Sequence, residues 1–126
     1  MVLAILERIN HLFKKGKPVN LLDFISNGVI CFLNENTRDE AVYRLVELLD
    51  KKGTLIDKEG FFQAIKKREK IVSTAIGMGV AIPHAKLSIY KDFFIAIGIQ
   101  QKGKGLDWEA PDDAPVRIIF LIGGPA

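Results

Sequence analysis

Two strongly apolar runs in the second half of the chain constrain its fold most. They span residues 93–99 (FFIAIGI) and 116–122 (VRIIFLI), and both are rich in β-branched and aromatic side chains. Between them, residues 102–115 are polar and contain glycines, prolines and Trp108. A third, shorter run at 29–33 (VICFL) predicts a buried strand. The chain is therefore expected to contain a β-sheet.

Helical periodicity appears between these strands. Thr37 and Glu40 have the spacing of a capping box and predict a helix to about residue 51, with Gly53 as its terminator. A second helix is predicted over about 57–70. The apolar stripes predicted for these two helices are Ala41, Val42, Leu45, Val46, Leu48 and Leu49, and then Phe61, Phe62, Ala64 and Ile65. Strands mixed with helices predict an α/β fold, a mixed β-sheet flanked by α-helices.

The first 17 residues form a separate pattern. Six apolar residues between positions 2 and 13 have helical spacing, which predicts an N-terminal amphipathic helix over residues 1–17, ended by Gly16 and Pro18. Residues 21–26 are expected to add a short helical turn. A single domain is predicted over residues 18–126.

Composition excludes several classes of protein. A chain of 126 residues that is 48% hydrophobic suits one globular domain and not a disordered one. No apolar run approaches the roughly 20 residues of a membrane span, and residues 1–13 lack a secretion signal. Cys31 is the only cysteine, which fits a reducing compartment. The net charge of +3 does not by itself favour nucleic acid or a membrane surface. The expected location is the cytoplasm.

Residues 71–85 (IVSTAIGMGVAIPHA) carry the most distinctive chemistry. Gly77 and Gly79 allow close backbone approach, and Pro83 fixes the chain beside His84. An imidazole is largely neutral at cellular pH, so one ring nitrogen has a lone pair that can attack a phosphoryl group in line. The basic cluster, defined as Lys66, Lys67, Arg68 and Lys70, directly precedes this segment.

The segment resembles the active-site signature of the type 2 enzyme IIA domains of the bacterial phosphotransferase system, the fructose, mannitol and nitrogen-regulatory family. The matching residues are Glu69, then Ile76-Gly77, Met78-Gly79 and Val80-Ala81-Ile82-Pro83-His84-Ala85. Arg68-Glu69-Lys70 also looks like the family's Arg-Glu-Lys segment, and Ser73-Thr74 resembles its Ser/Thr pair. Residues 106–122 are similar to the family's later strands, most of all to those of the fructose subclass.

The resemblance implies a phosphohistidine phosphocarrier. His84 aligns with the histidine that accepts a phosphoryl group on Nε2 from the carrier protein HPr, or from its nitrogen-branch homologue. The family then passes the group to a cysteine of a IIB domain. Arg68 aligns with the active-site arginine, and Thr74 is a further candidate catalytic residue. The fold implied is again a mixed sheet flanked by helices.

Two functions in that family stay open. One is phosphoryl transfer in fructose-like sugar uptake, and the other is nitrogen-type regulation by phosphorylation-dependent partner binding. Nucleic-acid binding is disfavoured because few aromatic residues alternate with the basic ones. No P-loop lysine follows Gly77-Met78-Gly79, and no metal-ligand spacing occurs, so neither a cofactor nor a metal is expected.

Blander interpretations apply to the other residues. Arg68 could equally be one charge of a solvated helix end, and His11 is expected to be solvated. Cys31 and Trp108 are expected to serve packing.

The family continues beyond the last strand and there supplies a second active-site histidine and a helix that covers the sheet. The strand at 116–122 is therefore expected to leave apolar surface that residues 1–15 cover, in the same chain or in a homo-oligomer.

Overall fold

The computed structural model describes residues 28–101, 103 and 105–126. Within these residues, two helices and six strands form one α/β unit, which confirms the predicted class. In chain order they are β1 (Val29–Leu33), α1 (Arg38–Lys51), α2 (Lys58–Ile71), β2 (Ala75–Gly77), β3 (Val80–Ala81), β4 (His84–Lys86), β5 (Phe94–Gln100) and β6 (Ile118–Gly124).

The six strands form one mixed sheet with the order β1-β5-β6-β3-β2, and β4 also pairs with β6. The long central strands β5 and β6 are antiparallel, whereas β1 runs parallel to β5. The short strands β3 and β4 both run parallel to β6. One strand, β6, therefore positions two consecutive short segments of the chain.

Both helices begin within about one residue of their predicted starts, and each has a side-chain cap. The Thr37 side chain accepts a hydrogen bond from the Glu40 backbone N–H at 3.2 Å, and Gly53 follows α1 with a φ of +83°. The Glu40 carboxylate accepts from the Asn36 N–H at 3.4 Å, so the reciprocal bond of the predicted capping box is shifted by one residue. Asp57 caps α2 by accepting from the Gly60 N–H at 3.0 Å.

The main core lies between the helices and one face of the sheet. Leu33 and Leu45 lie so close to Gly98 that a side chain at that position would clash with them. Trp108 is 1% exposed and belongs to this core, which confirms its packing role. The largest fully buried side chains are Trp108, Phe61, Leu33, Leu45, Leu49, Ile65, Leu106, Ile119, Leu121, Val46, Val80 and Val116.

The prediction of a buried strand at β1 is wrong for two of its five side chains. Within the described residues, β1 pairs only with β5, so it is an edge strand. Alternate side chains of a strand point to opposite faces. Leu33 therefore faces the helices, while Ile30 and Phe32 are 54% and 62% exposed on the other face. Cys31 is half-buried and packs at the margin of the core.

Some predictions lie outside the described residues. These are the amphipathic helix at 1–17 and the helical turn at 21–26. The division into residues 1–17 and a domain over 18–126 also stays a prediction. Among the helices of the described ranges, none combines the length and the hydropathy that a bilayer crossing needs.

Candidate active site around His84

His84 lies where the chain passes from β3 to β4 along the same neighbour, β6. The register joins Val80 to Ile118 and His84 to Ile122, and the Pro83 carbonyl accepts from the Ile122 N–H at 3.0 Å. Pro83 has no N–H to donate, so the strand is interrupted there. The interruption places a half-buried histidine directly after a rigid residue.

A turn of three left-handed residues precedes the site. Gly77, Met78 and Gly79 have φ values of +96°, +56° and +78°. Positive φ costs little for glycine but is uncommon for methionine. The Asp112 carboxylate accepts from the Met78 N–H at 2.8 Å and from the Ala114 N–H at 3.1 Å, and so ties the turn to the loop before β6.

The contact of Asp112 with this turn was not predicted from the sequence. The Asp112 side chain lies 34 positions along the chain from the amide that it binds, so no local spacing reveals the contact. The hydrogen bonds from Met78 and Ala114 lower the pKa of Asp112 below its ordinary value of 3.8. The carboxylate thus stays ionised to a lower pH than an aspartate without these hydrogen bonds.

The imidazole of His84 is held by one backbone contact. Its Nδ1 lies 2.8 Å from the Ile82 carbonyl oxygen. A carbonyl can only accept, so Nδ1 carries the proton and donates. In the neutral ring, Nε2 then keeps its lone pair. That nitrogen is the one that the family resemblance implies as the phosphoryl acceptor.

The electrostatic surroundings keep His84 neutral. Burial is the main cause that lowers its pKa below the ordinary 6.5, and the positive charges of Arg68 and Lys86 lower it further. The hydrogen bond to Ile82 and the negative charge of Glu69 act in the opposite direction. The net effect favours the unprotonated imidazole, which is the nucleophilic form.

The structure brings Arg68 to the same end of the fold as His84. Arg68 lies in the last turn of α2, is half-buried, and donates from Nη1 to the Val72 carbonyl at 2.9 Å. Its charge acts on the His84 pKa. This arrangement stabilises the helix end and also keeps a cation beside the imidazole. Its role toward a phosphoryl group stays a prediction.

The Thr74 side chain is buried, whereas a hydroxyl that contacts a substrate would be exposed. Thr74 is 6% exposed, and its Oγ1 donates to a carboxylate oxygen of Glu69 at 2.5 Å. The Thr74 N–H donates to the other oxygen of Glu69 at 2.6 Å. A role in catalysis for Thr74 stays a prediction, and its contacts in this structure lead to Glu69.

Glu69 is a buried acid that the helical pattern could have revealed. It follows Phe61 and Ile65 at intervals of four residues, so it continues the buried stripe of α2. Basic neighbours in the sequence make it look like part of a solvated face. Its 8% exposure shows instead that the carboxylate belongs to the interior beside the site.

Within the ranges that the structure covers, no three His, Cys, Asp or Glu side chains come together as ligands. A neutral imidazole whose Nε2 keeps its lone pair can act as a nucleophile, and nearby positive charge can stabilise a negatively charged group beside it.

Comparisons with known proteins agree with this arrangement. Residues 23–126 match the family model of the phosphoenolpyruvate-dependent sugar phosphotransferase system, EIIA 2. The chain belongs to this family, since the match covers most of its length.

Curated relatives include sugar-specific proteins. The fructose-specific EIIABC component of Bacillus subtilis is 36% identical over 90 residues, which cover 71% of this chain and 14% of that protein. The fructose-specific EIIA component of Haloferax volcanii is 31% identical over 71% of this chain and 57% of its own length. The chain therefore spans less than two thirds of these relatives.

A solved structure of a regulatory protein is also similar. The nitrogen regulatory protein IIA-Ntr of Neisseria meningitidis has a TM-score of 0.69 and 26% identity, covering 79% of this chain and 66% of that one. The chain is therefore similar both to sugar-specific members of the family and to a nitrogen regulatory one.

Proposed function

We propose that this protein is a phosphohistidine phosphocarrier that accepts a phosphoryl group from HPr on Nε2 of His84. The observation that carries the proposal is the hydrogen bond from His84 Nδ1 to the Ile82 carbonyl, which leaves Nε2 as the nucleophile. The lowered pKa of His84 supports it, because the neutral ring is the reactive form. Its cytoplasmic location is part of the same proposal.

The chemistry balances without a further reactant. The Nε2 lone pair of His84 attacks the phosphorus of the donor's phosphohistidine as the donor P–N bond breaks. The donor imidazole keeps the electron pair of that bond. In the next step a thiolate of a IIB domain attacks the phosphorus, an S–P bond forms, and His84 recovers its lone pair.

Positive charge near His84 suits this transfer. The incoming phosphoryl group adds negative charge beside Arg68, which already contacts the helix end through Val72. A guanidinium is always charged and can donate to phosphoryl oxygens. We assign to Arg68 the stabilisation of the phosphorylated state, in fructose-like sugar uptake.

A regulatory role is the second candidate, and the similarity to IIA-Ntr favours it. Phosphorylation of His84 would add negative charge beside the basic cluster and change the affinity of that surface for a partner. The two candidates share the first chemical step and differ in whether the phosphoryl group moves on.

The decisive experiment measures intact mass after incubation with phosphoenolpyruvate, enzyme I and HPr. We expect a gain of about 80 Da on the parental protein, none on His84→Ala, and an unchanged gain on the control His11→Ala. Absence of the gain on the parental protein, or its survival in His84→Ala, would contradict the proposal.

Adding a fructose-type IIB domain then separates the two candidates. Loss of the added mass from this protein, with its appearance on the IIB cysteine, supports sugar uptake. Retention of the phosphoryl group in the presence of that IIB domain supports regulation. His84→Ala is the control for nonspecific labelling of the IIB domain.

A further inference from the structure

We propose that Glu69 is a positioning residue for His84, an inference that rests on the proposed phosphocarrier function. Its carboxylate holds Thr74, Thr74 holds Ile82, and Ile82 holds the imidazole. The hydrogen bonds of Glu69 go to Thr74, and none goes to the imidazole of His84. Glu69 acts on the reaction through the tautomer and the orientation of the ring.

The first link is a buried carboxylate with two donors from one residue. Glu69 and Thr74 are 8% and 6% exposed, and both the N–H and the hydroxyl of Thr74 donate to Glu69. A carboxylate in the last turn of a helix faces the negative end of the helix dipole. Burial there is unfavourable by itself, so the contact with Thr74 is the specific gain at this position.

The second link joins Thr74 to the segment before His84. The Thr74 carbonyl accepts from the Ile82 N–H at 3.0 Å. The next residue, Pro83, has no N–H, so the peptide unit that carries the Ile82 carbonyl has no donor of its own to anchor it. The Ile122 N–H holds the Pro83 carbonyl on the C-terminal side, and Thr74 holds Ile82 on its N-terminal side, so the contact with Thr74 is one of the two that set the orientation of the Ile82 carbonyl.

The third link sets the reactive nitrogen. With the Ile82 carbonyl in place, the proton stays on His84 Nδ1 at 2.8 Å, and Nε2 keeps the lone pair. If the carbonyl turns away, the proton distributes between both nitrogens and the ring loses its anchor. The fraction of His84 with a nucleophilic Nε2 then falls.

Two substitutions of Glu69 separate positioning from charge. Glu69→Gln removes the charge but can still accept from the Thr74 N–H, while its amide donates to a rotated Thr74 hydroxyl. Glu69→Met has a similar length and makes neither bond. Both remove the negative charge near His84 equally. Glu59→Met, at an exposed position of the same helix, is the matched control.

The readout is nitrogen NMR of ¹⁵N-labelled histidine in the unphosphorylated protein, with His84→Ala assigning the His84 signals. We expect the Nδ1–H tautomer in the parental protein, Glu69→Gln and Glu59→Met. In Glu69→Met the Nε2–H form should become the larger population. Phosphoryl acceptance by Glu69→Met should be at least tenfold slower than acceptance by Glu69→Gln.

An unchanged tautomer in Glu69→Met would overturn the inference, and so would an equal change in Glu69→Gln, which would assign the effect to charge. If Glu69→Met does not fold by circular dichroism, Glu69→Ala, which also makes neither bond to Thr74, replaces it with the same expected and contrary results. A shifted tautomer in a protein that accepts no phosphate would support positioning by Glu69 and refute the phosphocarrier proposal alone.

Discussion

The reactivity of His84 depends on a balance between its burial and the charges beside it. Burial and the cations Arg68 and Lys86 favour the neutral ring, whereas Glu69 and the Ile82 carbonyl favour the protonated one. The first group prevails, so the pKa lies below 6.5. A nucleophile with this property stays available in mildly acidic solution.

The pH dependence follows from that shift. We expect NMR titration to give a His84 pKa below 6.5 and phosphoryl acceptance to persist below that pH. Because the unfolded chain binds this proton more readily, the free energy of unfolding should fall as pH drops from 6.5 through the folded pKa. His84→Ala should lack this contribution in denaturant titrations. A His84 pKa at or above 6.5 would contradict the prediction.

Removing the charge of Arg68 should raise the His84 pKa. Arg68→Met keeps much of the side chain's length but removes both the cation and the bond to the Val72 carbonyl. We expect phosphoryl acceptance to slow by roughly 10- to 100-fold, as when a charge-stabilising donor is lost. Lys67→Met, at the exposed neighbouring position, is the control for a general loss of positive charge. Equal effects of the two substitutions would refute a specific role for Arg68.

The sequence predicts His84 as the phosphoryl acceptor because its neighbours Pro83 and Gly77 have recognisable spacing. It could not show that Thr74 is buried against Glu69, since that contact needs α2 and β2 to meet in a particular orientation. Cys31 illustrates the same limit, because burial of alternate residues in β1 depends on which face the helices cover.

At the scale of elements, the turn between β2 and β3 is held by hydrogen bonds from the later part of the chain. Its three left-handed residues are tied by Asp112, and the Gly79 carbonyl accepts from the N–H groups of Arg117 and Ile118. The polar loop before β6 thereby fixes the segment that leads to His84. Loops that position reactive residues commonly depend on such contacts with a rigid scaffold.

Asp112→Asn should loosen this turn. Both carboxylate oxygens accept backbone N–H groups, and an amide can replace only one of them. We expect faster hydrogen exchange at the Met78 amide and slower phosphoryl acceptance. Asp113→Asn is the matched control, since asparagine tolerates the positive φ of that position. Unchanged exchange at Met78 would show that Asp112 does not hold the turn.

Element boundaries were predictable where the signals are local. The capping box at Thr37 and the helical periodicity over 57–70 place both helices within about one residue, and the long apolar runs locate β5 and β6 to within two. No strand was predicted from the sequence at β2, β3 or β4. The strands β3 and β4 pair with residues of β6 more than 30 positions away, and β2 pairs with β3, which no periodicity over two or three residues can reveal.

For the molecule as a whole, the sheet has two different faces. The helices cover one, and the second face, defined as Ile30, Phe32, Ile97, Ile99, Ile118 and Phe120, lies opposite. The register aligns Ile30, Ile97 and Phe120 in one row across three strands. Neither α1 nor α2 packs there, so this face needs another cover.

Deleting residues 1–15 should expose the second face. Their six apolar residues at helical spacing, 14 positions before β1, make them the expected cover. We expect stronger fluorescence of a hydrophobic dye and a larger mass by light scattering. In the deleted chain, Ile30→Thr combined with Phe32→Thr should reverse both changes. Unchanged dye binding and mass after the deletion would rule out this role for residues 1–15.

The pairing of β1 with β5 also sets an order of events during synthesis. Val29 cannot pair with Ala96 until the ribosome has synthesised the residues between them. At roughly 5–20 residues per second, this synthesis takes roughly 3–13 s. The helices between them rely on nearby residues and can form during that interval. Until β5 emerges, the nascent chain presents an unpaired apolar strand with Ile30 and Phe32, and it is then most exposed to aggregation and most dependent on chaperones.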